Sequence, residues 1–98
     1  MRVFTKRSKV YYQRNYQLIN DFLLKHNANL IHFEYYYKIF GNLRIIFVYN
    51  EKKYECITDR GDIYINDSFV CDASYHVAGR DDTITKLIEV IGNIVFEE

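Results

Sequence analysis

The sequence predicts an α+β domain with an N-terminal helix, an antiparallel sheet of three to four strands joined as a hairpin meander, and a C-terminal helix. Three observations carry this. Apolar residues recur at helical spacing near each end of the chain, as Tyr12, Tyr16, Ile19 and Leu23 and again as Ile84, Leu87, Ile88 and Ile91. Between them, residues 30–66 alternate strand-forming runs with short clusters of glycine, asparagine and aspartate. Ten tyrosines and seven phenylalanines suit a pleated surface, and the absence of proline leaves the elements uninterrupted. The 98 residues support one domain, 1–98, with enough apolar side chains to fold without disulfides or a structural metal.

The first helix is expected from about Lys9 to His26. Ser8 is its candidate N-cap, and Asn27, which tolerates the left-handed conformation, is its stop. A strand from Leu30 to Phe40 meets Gly41-Asn42, read as a two-residue type II′ turn, and a second strand runs from Leu43 to Tyr49. Residues 50–53 form the next loop before a strand from Tyr54 to Thr58. Asp59-Arg60-Gly61 reads as a three-residue loop before a strand from Asp62 to Asn66. Phe69-Val70-Cys71 fits a short further strand, and Ala73 to Gly79 a loop packed by Tyr75 and Val77. The last helix is expected over about 82–91, capped by Asp81 or Asp82 and stopped by Gly92, with Ile94-Val95-Phe96 docking as a short strand.

These loop lengths set a register: Phe40 opposite Leu43, Tyr49 opposite Tyr54, Thr58 opposite Asp62. One face then collects Ile31, Phe33, Tyr35, Tyr37, Ile39, Ile46, Val48, Ile57, Ile63 and Ile65, interrupted by Arg44 and Glu55, and is expected to be the core face. The other collects tyrosines, phenylalanines and charges, among them Tyr36, Tyr49, Tyr54 and Tyr64. A slip of one residue in any loop exchanges a strand's faces.

The net charge is zero but unevenly placed. Residues 1–50 hold eight Lys/Arg and two Asp/Glu, and residues 51–98 hold five Lys/Arg and eleven Asp/Glu, so the halves carry +6 and −6. No apolar run reaches the ~18 residues of a membrane span. The opening residues lack the apolar core of a signal peptide, and Cys56 and Cys71 make no disulfide framework. A cytoplasmic protein with reduced thiols is expected.

No catalytic constellation assembles from the sequence, and no enzyme activity is expected. His26, His32, His76, Cys56 and Cys71 lack the close spacing of metal ligands, so neither metal nor cofactor is expected. Lys6, Arg7, Lys9 and Arg14 lie near Tyr11, Tyr12 and Tyr16, a combination that can neutralise phosphates and stack bases. A sequence pI near 6.8 is unlike that of a dedicated nucleic-acid binder.

The hairpins around Gly41-Asn42 and residues 50–53, with the terminal Asp82-to-Ile91 helix, give an element order that resembles small phage-encoded inhibitors of the anti-CRISPR type. The likeness covers the order of elements over most of the chain and no specific motif. It implies a non-enzymatic protein that blocks a host nuclease or nucleic-acid-binding enzyme. Asp59, Asp62, Asp67, Asp72, Asp81 and Asp82 would then face a basic groove, with Tyr36, Tyr49, Tyr54 and Tyr64 as apolar contacts. Residues 37–49 also look like the central hairpin of ribosome-dependent ribonuclease toxins, although those are strongly basic and this chain is neutral. The alternatives are therefore a small nucleic-acid-binding protein using Lys6, Arg7, Lys9 and Arg14, a ribonuclease toxin, or an immunity protein. The expected partner is a host protein, with direct nucleic-acid contact and a homodimer as further options.

Overall fold

A computed structural model describes residues 6–36, 42–72 and 81–97; at 6–9, 11, 72 and 81–83 the description is of the backbone. Helix α1, Lys6–Lys25, begins earlier than expected, so Ser8 lies inside it rather than capping it. Its end is as read from the sequence. Asn27 takes a positive φ of 62°, its N–H donates to the Leu24 carbonyl at 3.1 Å, and the Ala28 N–H donates to the Leu23 carbonyl at 2.9 Å. This is a Schellman closure, and Leu23 and Ala28 are both fully buried beneath it.

The sheet has five strands in the order β1-β2-β3-β4-β5, all neighbours antiparallel, one strand more than expected. They are β1 Asn29–Tyr36, β2 Asn42–Tyr49, β3 Lys52–Asp59, β4 Asp62–Ile65 and β5 Ser68–Asp72. Three hairpins close through two residues each: Asn50-Glu51, Arg60-Gly61 and Asn66-Asp67. Both central residues of each have positive φ, from 51° to 93°, as type I′ turns require. The right-handed strand twist favours that geometry, which is why the four- and three-residue loops expected at 50–53 and 59–61 are shorter here. Helix α2, Asp81–Ile94, has Asp81 and Asp82 in its first turn. Gly92 does not stop it but is buried within it. Burial of Ile91 and Val95 around that position outweighs glycine's helix penalty of ~1 kcal/mol. Val95 and Phe96 follow the helix and form no strand: both N–H groups donate to the Ile91 carbonyl, at 2.9 and 3.2 Å.

The register corrects the expected facing of two strands. Leu43 pairs with Tyr35 rather than Phe40, and the last β1–β2 pair is Tyr36↔Asn42. A two-residue turn at Gly41-Asn42 is thereby excluded; Tyr37, Lys38, Ile39, Phe40 and Gly41 lie outside the described residues, as do the loop expected at 73–79 and His76. Thr58 pairs with Ile63 rather than Asp62. Each difference is an odd number of residues, so each reverses one relative facing. The two reversals cancel for β1 and β4, whose Phe33, Tyr35, Ile63 and Ile65 point into the core as expected, but Ile31, expected with them, is exposed at the irregularity between Leu30 and His32. They invert β2 and β3. The core therefore takes Leu43, Ile45, Phe47, Cys56 and Thr58, while Ile46, Val48 and Ile57, expected inside, are half-buried on the opposite face.

The helices lie on one side of the sheet. Ile19 and Leu23 of α1 and Ile84, Leu87 and Ile91 of α2 join Ile45, Phe47 and Ile63 in one core cluster. Tyr12 and Tyr16 meet Phe33 edge-on at 5.2 and 5.4 Å. Thr58 is buried with its hydroxyl accepting from the Leu43 N–H at 2.8 Å, which satisfies a polar group inside the core. No described helix is long and apolar enough to cross a membrane.

Candidate functional site

The opposite face of the sheet is where the unexpected residues meet. Alternation places Ile46, Val48, Ile57 and Tyr64 there, together with Phe69, and no described element covers them. Phe69 is 58% exposed and meets Tyr64 edge-on at 5.7 Å. Ile57, Tyr64 and Phe69 are cross-strand neighbours there, which gives this face an apolar segment of the kind that can serve for docking.

A charged ladder runs through this apolar row. Arg44 Nη1 donates to Glu34 Oε1 at 2.8 Å and its Nε donates to Glu55 Oε2 at 2.6 Å. His32 Nε2 contacts the same Glu34 oxygen. The hydrogen bonds from His32 and then Arg44 hold the Glu34 carboxyl below its usual range, while Glu34 and then Glu55 push the Arg44 guanidinium further up. A depressed carboxyl contributes stability above its unfolded pKa and loses it as pH falls through the folded value. These side chains are partly exposed, so the network neutralises Arg44 and fixes its direction more than it stabilises the fold.

At one end of this face the register aligns acidic positions. Asp59 pairs with Asp62, and Asp62 with Asp72. Asn42 braces this end: its Oδ1 accepts from the Arg60 N–H at 2.8 Å and its Nδ2 lies 3.5 Å from Asp59 Oδ1. Beside it is an open concavity of about 310 Å³, lined by Tyr36, Asn42, Leu43, Arg44, Ile57, Thr58 and Asp59.

The candidate residues read from the sequence are thus divided. Asp59, Asp62 and position 72 share one row, and Tyr36 and Tyr64 share its face. Asp67 sits in the Asn66-Asp67 turn at the opposite end of the sheet. Tyr49 and Tyr54 are on the helix side: Tyr54 stacks on Phe47 at 5.3 Å and Tyr49 meets Phe96 edge-on at 4.7 Å. Asp81 and Asp82 begin α2, and Lys6, Arg7 and Lys9 begin α1, with Arg14 exposed further along it. Sequence reasoning passed over His32, Glu34, Arg44, Glu55 and Asn42. The available signal was the pair Arg44 and Glu55, which interrupts what was read as the core face.

His26 is part of the packing: its ring stacks on Phe96 at 4.4 Å and its Nδ1 lies 3.0 Å from the Phe22 carbonyl. Cys56 is buried, and burial, then the Glu55 charge, pushes its thiol up to about 12, which leaves it without a reactive thiolate. Among the described residues no three His, Cys, Asp or Glu side chains gather to hold a metal ion. Compared with protein-family models, curated proteins and solved structures, the chain matches none.

Proposed function

We propose that the chain is a non-enzymatic protein-binding module, an inhibitor from a phage or mobile element that blocks a host nuclease or nucleic-acid-binding enzyme by covering its basic groove. One observation carries this reading: the sheet face that no described element covers joins Ile46, Val48, Ile57, Tyr64 and Phe69 to the carboxylates of Asp59 and Asp62. Apolar area supplies affinity, and tyrosine is a frequent anchor because it buries much surface at low entropy cost. The charge favours a basic protein. Glu34, Glu55, Asp59 and Asp62 outnumber Arg44, Lys53 and the turn residue Arg60 here, and Arg44 is already occupied by two glutamates. Phosphates would be repelled there. Two copies packed face to face would bring like charges together, which disfavours a homodimer through this surface.

The alternative reading, a small nucleic-acid binder, uses the other side of the molecule. It is favoured by a first turn of α1 that carries Lys6, Arg7 and Lys9 and no acid. A ribonuclease toxin or an immunity protein are the remaining options.

Affinity capture with the tagged chain and mass spectrometry will name the partner. The purified partner should then lose its nucleic acid stoichiometrically as the chain is added. RNA cleavage by the purified chain, or tight binding of bare strands that weakens steeply with salt, would contradict the proposal.

A further inference from the structure

We propose that the concavity beside Asp59 is a receptor for a guanidinium group, and that a basic partner inserts an arginine side chain there. The inference rests on the protein-binding reading above and assigns its anchoring contact. The concavity's volume of about 310 Å³ is at the low end for ligand sites, which span roughly 300–1,000 Å³, so it suits one side-chain head rather than a cofactor. Its lining matches the two halves of an arginine. Ile57 and Tyr36, both in the lining, supply apolar surface for the methylene stem. The Asp59 carboxylate supplies the paired acceptor that two guanidinium N–H groups match.

Asp59 is prepared for this role. No ion pair links it to a described cation, and its polar contact is the long one from Asn42 Nδ2 at 3.5 Å. Asn42 is itself fixed by the Arg60 N–H, so the carboxylate is braced without being neutralised. The cation in the wall, Arg44, does not compete for Asp59. Glu34 and Glu55 hold its Nη1 and Nε at 2.8 and 2.6 Å.

The test is titration of the isotope-labelled full chain with N-acetylarginine amide, followed by NMR. N-acetyllysine amide and N-acetylcitrulline amide are the controls; citrulline keeps the shape and removes the charge. The arginine probe should move the amides of residues 42–44 and 57–59 saturably, at millimolar strength. The lysine probe should bind more weakly, and the citrulline probe should not bind. Asp59→Asn should weaken arginine binding about tenfold through loss of a charge-assisted contact. Asp59→Glu should retain most of it, and Asp67→Asn, at the far end of the sheet, should leave it unchanged. Absence of saturable shifts, equal binding of citrulline, or an unaltered Asp59→Asn titration would overturn the proposal. A partner that still binds this face when the titration fails would remove the receptor and leave the protein-binding reading standing, so the two failures are distinct.

Discussion

Ile45→Ala should destabilise the protein by roughly 2–5 kcal/mol, and Ile46→Ala by about 1 kcal/mol or less. The two isoleucines are adjacent in β2 but face opposite ways. Ile45 is fully buried, opposite Phe33 on one neighbouring strand and Cys56 on the other, so truncation leaves a cavity that fixed strands cannot close. Ile46 is half-buried on the face opposite the helices, so its truncation removes less buried surface. In a domain of this size each kcal/mol moves the melting temperature by about 4–8 °C, so the two variants should separate clearly in urea and thermal unfolding. Equal losses, or a larger loss for Ile46→Ala, would place the wrong face of β2 in the core.

Phe96→Ala should cost roughly 2–4 kcal/mol, the second-largest effect expected. Phe96 follows the last turn of α2 yet ties three parts of the fold together. Its ring lies 5.5 Å from Phe22 and 4.4 Å from His26 of the α1 terminus, and 4.7 Å from Tyr49 at the end of β2. It lies 6.3 Å from Phe47 in the core. Removing it frees the end of α2 and opens the aromatic cluster where both helix ends meet the sheet. Hydrogen exchange should speed most at Ile91, Val95 and the amides of 26–28. A loss confined to residues 95–97, with global stability unchanged, would mean that Phe96 covers the core without holding it.

The order of elements was legible because it rests on local signals: helical spacing at both ends, strand-forming runs between, and Asn27 at the end of α1. Facing was less legible because it depends on loop parity. Asn50-Glu51, Arg60-Gly61 and Asn66-Asp67 all close as two-residue turns; Asn66-Asp67 has the composition for it at both positions, whereas Glu51 and Arg60 are poor signals for positive φ. Of Gly41-Asn42, the stronger hairpin signal, the described residue Asn42 is already in β2, paired with Tyr36. The charges held the missing information. Grouping His32, Glu34, Arg44 and Glu55 on one face, rather than accepting Arg44 and Glu55 as interruptions of a core, yields the observed facing of β1, β2 and β3. The candidate site was legible in part. Asp59, Asp62 and Asp72 are separated in sequence but joined by pairing of β3, β4 and β5, whereas Asp67 belongs to a turn at the other end. Tyr49 and Tyr54 lie on the helix side of the sheet, where they pack on Phe96 and Phe47.

The most direct test of the central claim, that the acidic end of the sheet face opposite the helices meets a basic protein, is association kinetics with the captured partner across a salt series. Asp59→Lys with Asp62→Lys should slow association about tenfold or more at low salt and flatten its salt dependence, because such charges act mainly on the encounter rate. Asp67→Lys should change it little, and so should neutralising Lys6, Arg7 and Lys9. If neutralising those three abolishes binding while the Asp59 and Asp62 reversals are silent, the partner meets the start of α1 and the account of the sheet face is wrong.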